Sequence, residues 1–199
     1  MNEKEQLKFF YGYIVVMASF LILVSMYGTL YSFGVFFKPV LSELGWTRAM
    51  TSGAYSLCFL LSGAVAMATG RLNDRFGPRA IMSCSGLLLG LGYFLMSKIS
   101  AIWELYLYYG VIVGVGMGGG IAPSLSTVAR WFVKKRGLMT GITIAGTGTG
   151  TLVTPLIANW LISIYSWRTS FTIIGITVFI LIVGLAQLLI RDPGRKGLS

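Results

Sequence analysis

AMTSGAYSLCFLLSGAVAMATG, residues 49–70, contains no charge; RLNDRFGPR, residues 71–79, holds three Arg and one Asp; AIMSCSGLLLGLGYFLMS, residues 80–97, is again uncharged. About 20 apolar residues as a helix cross the hydrocarbon core of a bilayer. Two stretches near that length, joined by a short basic segment, therefore read as a transmembrane hairpin with its turn on the side that holds positive charge. The same pattern continues outward in both directions. Charge-free runs extend from Phe9 to Phe37, Leu105 to Ala129, Gly137 to Trp167 and Thr169 to Ile190, so that the chain divides into six spans. The spacing predicts helices over residues 10–37, 49–70, 79–98, 103–129, 137–160 and 168–190. The fifth run is too long for one crossing and is expected to end in an outer loop before Trp167.

Composition agrees. Hydrophobic residues make up 55% of the chain and charged ones 11%, against about 25% charged in a soluble domain. Glycine is abundant at 26 residues, as suits helices that must approach closely inside a membrane. The first span carries Glu3 and Glu5 in its flank and lacks a small-x-small cleavage site, so it reads as a retained helix. The formal net charge of +10 would suggest nucleic acid in a soluble protein, but its distribution gives a different reading. With the N-terminus placed in the cytoplasm, the inner segments hold Lys4, Lys8, Arg71, Arg75, Arg79, Arg130, Lys134, Lys135, Arg136, Arg191, Arg195 and Lys196. The outer loops hold Lys38, Arg48, Lys98 and Arg168, a ratio of 12 to 4. That bias orients the chain with both termini cytoplasmic in a cell (plasma or inner) membrane. No nucleic-acid partner is expected. Trp46, Trp103, Trp160 and Trp167 then fall near the outer interface, where amphipathic rings are favoured. Lys38 reads as a snorkelling side chain and the Lys134-Lys135-Arg136 run as topogenic.

Chemistry-bearing residues are few. There is no His, and Cys58 and Cys84 sit in apolar runs without metal-ligand or disulfide spacing. Neither a metal nor another cofactor is expected. Paired acids and nucleophile–base pairs are lacking, which argues against an intramembrane enzyme. No His, Asp, Glu, Lys or Arg stands in the interior of a span, so this chain offers no obvious proton relay of its own. Gly114-Val-Gly-Met-Gly-Gly119 matches a dinucleotide fingerprint in letters only, since no strand precedes it. Gly110, Gly114 and Gly118, four apart, instead make a packing stripe. On the fifth helix Gly141, Gly146 and Gly150 are small residues that permit packing, and Pro155 removes an intrahelical hydrogen bond, which permits bending. Tyr27 and Tyr31 share a face of the first helix and read first as packing or interface aromatics; the alternative is that they line a solute cavity, for which Tyr55 and Ser124 are weaker candidates.

Two segments carry a family resemblance. Gly70-Arg-Leu-Asn-Asp-Arg-Phe-Gly-Pro-Arg79 resembles the G-x-L-x-D-R-x-G-R-R signature of the major facilitator superfamily, with Pro78 in place of a basic residue. Trp131-Phe-Val-Lys-Lys-Arg-Gly-Leu-Met-Thr-Gly-Ile-Thr-Ile-Ala-Gly146 is similar to F-x-K-[KR]-R-x-L-A-x-G-x-A-x-A-G of the monocarboxylate porter and oxalate/formate-antiporter-like group, with Met139 and Thr143 replacing small residues. The segments Tyr11 to Val16, Gly34 to Pro39 and Gly45 to Arg48 also look like this group. The resemblance implies an all-α membrane protein: six transmembrane helices as a 3+3 inverted-repeat bundle, half of a fold of about twelve helices. It implies rocker-switch transport of a small organic solute, a mono- or dicarboxylate, as a secondary transporter. Residues Gly70, Asp74, Arg75, Gly77, Arg79 and Arg130 would form the cytoplasmic gate motif, Asp74 engaging the other half and pairing with Arg130 within this one. Two departures stand out. Tyr31 occupies the place of a lysine in animal proton-coupled members, and Gly110 that of an arginine in many relatives, so a charge that pairs with an anion is expected elsewhere. Partners are then the bilayer, the solute, and either a second six-helix half missing from this chain or a homodimer partner. A six-helix channel or scaffold is the alternative, although no charged pore-lining stripe supports it, and a truncated half that does not transport is another.

Overall fold

The computed structural model describes residues 10–190. Lys4, Lys8, Arg191, Arg195, Lys196 and the rest of the 191–199 tail lie outside the described residues. Six helices long and apolar enough to span a membrane follow one another: α1 (Gly12–Leu44), α2 (Arg48–Phe76), α3 (Pro78–Met96), α4 (Ile102–Trp131), α5 (Arg136–Ile164) and α6 (Trp167–Ala186). Among the described residues there is no strand.

Helix ends depart from the expected bounds for identifiable reasons. α1 runs past Lys38 and through Pro39 to Leu44, ending where Gly45 takes a left-handed conformation at φ 67° and donates to the Leu41 carbonyl. The proline costs one backbone bond, whereas glycine supplies the αL stop that a helix end favours. α2 continues through Arg71-Leu-Asn-Asp-Arg-Phe76, so the segment expected as a loop is a last helical turn and a half. Only Gly77, at φ 83°, separates α2 from α3, and Pro78 starts α3 at its first position, where a missing N–H is harmless. α5 extends to Ile164 rather than stopping near Trp160, and the outer loop shrinks to Tyr165 and Ser166. α4 is not uniform: Tyr106–Val113 is wound as a π-helix and the chain turns at Gly118 to Gly120 before Ile121–Trp131 resumes.

Packing follows an inverted repeat. α1 lies along α5 as α4 lies along α2; α1 touches α6 as α4 touches α3; α3 and α6 pair with each other. Each relation maps onto the next when helices 1, 2, 3 are exchanged for 4, 5, 6. The two triplets share no readable identity, yet one device recurs in register. Arg79 is the second residue of α3 and its Nε donates to the carbonyl of Leu189, three residues past the end of α6, at 3.0 Å. Arg168 is the second residue of α6 and its Nη1 donates to the carbonyl of Ile99, three residues past the end of α3, at 2.9 Å. In both cases an arginine satisfies a carbonyl that a helix end leaves without a donor.

At the end bearing Asp74, Tyr11 Oη and Trp131 Nε1 add donors to Leu188 and Ile190 at 3.0 and 2.8 Å. At the opposite end Arg168 Nη1 also reaches Ser97 at 3.1 Å and Nη2 pairs with Glu43 at 3.0 Å. Trp167, at the end opposite Asp74, is buried against the bundle: its Nε1 donates to Glu43 and Arg168 lies over its face at 4.3 Å. One guanidinium thus ties the ends of α1, α3 and α6. Replacing Arg168 with alanine is expected to lower stability by about 1–3 kcal/mol, most of it from the two orphaned carbonyls because the half-exposed carboxylate is screened. Arg168→Lys should recover only part, since one ammonium cannot reproduce the fork. Thermal unfolding in detergent measures both.

Helix–helix contact inside a bilayer gains little from hydrophobicity and depends on close approach. A Cβ added at Gly110, Gly114 or Gly118 would come within 2.8, 3.0 and 2.6 Å of Leu57, Cys58 and Val65, so this stripe seats α4 on α2. Gly146 and Gly150 seat α5 on α1, facing the backbone of Phe20 and Val24, with Gly28 opposite Gly150. Gly141, grouped with them as a packing residue, meets nothing within 4 Å. It sits five and nine residues before Gly146 and Gly150, which at 100° per residue turns it off the α1-facing side. α5 runs unbroken through Pro155.

A candidate solute cavity and a basic–acidic turn

Two places gather the candidate site residues. The first is a cavity of about 490 Å³ between α1, α4 and α5. Tyr27 and Tyr31 line it from α1, four residues apart and therefore on one stripe. Ile121 contributes from α4; Ile144, Thr147, Gly148, Thr151 and Leu152 form the α5 wall. The wall contains no charged side chain. The hydroxyls of Thr147 and Thr151 donate to the carbonyls of Ile144 and Thr147, both at 2.8 Å, so their protons are held by their own helix. The phenols of Tyr27 and Tyr31 are not so engaged by protein groups among the described residues. They are the donors the cavity has to offer.

Tyr31, 43% exposed, also borders a smaller recess of about 270 Å³ that Tyr55 lines together with Phe33 and Ser52. The Tyr55 ring stacks on Phe33 at 5.5 Å between centroids. The structure therefore brings Tyr27, Tyr31 and Tyr55 to neighbouring concave surfaces. Ser124 does not join them. It is fully buried within α4 and its Oγ donates to the Gly120 carbonyl at 2.9 Å, a back-bond that occupies a serine facing a packed neighbour.

Thr147, Gly148 and Thr151 were not singled out in the sequence, although a signal was there. In Gly146-Thr-Gly-Thr-Gly-Thr151 the glycines alternate, and a 100° step per residue places Gly148 nearly opposite Gly146 and Gly150. Half of the glycine-rich segment packs; the other half faces the cavity.

The second place is the α2–α3 turn. Arg130 Nη2 lies 3.0 Å from Asp74 Oδ1, joining the end of α2 to the end of α4. Asn73, one residue earlier, is buried and its Nδ2 donates to Ser126 Oγ at 3.1 Å, fastening the same two helices. Arg75 lies against the Phe76 ring at 5.3 Å. Arg79, expected to support the charge network around Asp74, is directed to the end of α6 as described. Gly77 has the positive φ that its position requires, whereas Gly70, expected to permit close approach, has open space around its Cα. The pair leaves 66% of the Asp74 side chain exposed, so the carboxylate can be reached from outside the bundle.

The profile of the Major Facilitator Superfamily matches residues 17–198. The chain is 28% identical over 165 residues to monocarboxylate transporter 13 of Bos taurus, covering 83% of this chain and 39% of that protein. It is 31% identical over 186 residues to the oxalate:formate antiporter of Oxalobacter formigenes, covering 93% and 43%. Monocarboxylate transporter 11 of Homo sapiens is 28% identical over 185 residues, 92% of this chain and 39% of the relative. The chain spans about two-fifths of the length of these curated relatives, all named as transporters rather than enzymes. This multi-pass membrane protein belongs to the Major Facilitator Superfamily, in the group of monocarboxylate-transporter-like and oxalate:formate-antiporter-like proteins.

Proposed function

We propose that this six-helix unit carries a small mono- or dicarboxylate across a cell membrane by rocker-switch alternating access. The observation that carries the reading is the α1/α4/α5 cavity, furnished with two phenol donors on a mostly apolar, uncharged wall. Such a wall orients a carboxylate by hydrogen bonds and leaves the neutralising charge to the surface opposite. The names of the relatives point to the same solute class. A second body across the cavity fits the distribution of burial. In the most apolar window of α2 and of α5 only 17% and 22% of residues are buried, against 56% and 61% in α1 and α4. Two symmetry-equivalent helices thus present a whole face to whatever lies opposite, either a second six-helix half or a second copy of this chain. Asp74 would latch the two bodies at the cytoplasmic side, the side on which the 12-to-4 charge ratio favours placing the termini.

Uptake of radiolabelled oxalate, formate and lactate into proteoliposomes containing the purified chain tests this. Saturable uptake above that of empty liposomes supports carriage by paired copies. Retained binding without uptake supports carriage that requires a second half. Neither uptake nor binding by a folded chain contradicts the proposal.

A further inference from the structure

We infer that Gly148 sets the size of the carboxylate that the α1/α4/α5 cavity accepts. This rests on the carboxylate reading above and adds to it a residue that determines specificity. Gly148 lines the cavity opposite the stripe on which α5 packs. A Cβ built there meets no atom within 4 Å, while the same construction at Gly146 and Gly150 runs into the backbone of α1. Glycine is a poor helix former; Gly146 and Gly150 give α5 its close approach to α1, whereas Gly148, like Gly63 and Gly141, meets nothing within the bundle. What sets Gly148 apart from those two is its place on the cavity wall. What its missing side chain supplies is volume on a wall it shares with Thr147 and Thr151, in the cavity that Tyr27 and Tyr31 also line. A leucine at this position would project into the cavity and shorten the space a solute can fill while leaving the tyrosine donors in place. Pockets discriminate by about 10- to 200-fold per methylene when steric fit is the criterion.

The test is competition against radiolabelled oxalate bound to the reconstituted full chain, with oxalate, succinate and adipate as competitors. Gly148→Leu is expected to bind oxalate within about threefold of the parent and to weaken competition by adipate at least tenfold more than that by oxalate. Gly148→Ala should shift the same ranking by less. Folding is followed by a thiol-reactive dye reporting exposure of buried Cys58, on a Cys84→Ser background because Cys84 is already exposed. Unchanged selectivity, or an equal loss for every acid, overturns the inference while leaving the carboxylate reading intact. A collapse of the Gly148→Leu melt also overturns it, since the position would then be a packing one. A parent chain that binds none of the three acids removes the carboxylate reading itself.

Discussion

Gly150→Leu is expected to yield no stable bundle, whereas Gly141→Leu, nine residues away on the same helix, should melt with the parent. At Gly150 an added Cβ would sit 2.9 Å from Val24 Cα and 3.0 Å from Gly28 N, as well as against the Val24 carbonyl. These are backbone atoms of α1, which cannot rotate out of the way as a side chain would. Overpacking a well-filled site typically costs about 1–3 kcal/mol and more when nothing can relax. The α1–α5 contact also has no hydrophobic driving force in lipid to offset a separation of the helices, because the bilayer solvates them equally well. A folded bundle would have to give up the closest of the several contacts that join its two triplets. Monodispersity in detergent and the Cys58 melt report the result; a Gly150→Leu chain that melts with the parent contradicts this packing.

Asp74→Asn is expected to separate transport from stability. The Asp74–Arg130 pair is largely exposed, and pairs of that kind contribute about 0–1 kcal/mol. Asn73 to Ser126 keeps the α2 and α4 ends joined when the charge is removed. The melt should therefore move little. If the carboxylate instead engages a helix N-terminus across the interface, its loss removes a favourable charge–dipole contact present in one state of the cycle only. Flux should then fall more than tenfold in whichever assembly carries solute, two copies or this chain with a second half. A parallel fall in flux and melting temperature would make Asp74 a structural residue, and unchanged flux would remove it from the gate.

Much of the architecture was legible because it depends on one quantity, the absence of charge over about 20 residues. The six spans and the order of the basic clusters follow from that. Helix ends were less legible, since Pro39 and the Arg71–Phe76 turn show charged or helix-breaking residues that membrane helices accommodate outside the hydrocarbon. The Asp74–Arg130 contact could be anticipated from a lone acid among inner basic residues. Arg168 could not. It reads as one of four outer-loop charges, and only the placement of the Ser97, Ile99 and Glu43 oxygens around it shows the tie between three helices. Ser124 illustrates the reverse error, a hydroxyl on a promising helix whose rotation about the axis is set by packing. Gly141 and Gly148 were hidden by a composition signal that does not distinguish faces. Angular position along a helix needs the partner helix, and the partner of α5 is α1, distant in sequence.

The central claim is that a carboxylate is held on the α1/α5 wall by phenol donors. Equilibrium binding of radiolabelled oxalate to the reconstituted chain, compared with the Tyr27→Phe/Tyr31→Phe double variant, tests it most directly. A hydrogen bond to a charged group is worth about 1.5–3 kcal/mol, and about 1.4 kcal/mol is a factor of ten in affinity. Loss of two such donors should weaken saturable binding by at least tenfold without altering the Cys58 melt. Oxalate bound equally well by the double variant, or by neither chain, would contradict the account.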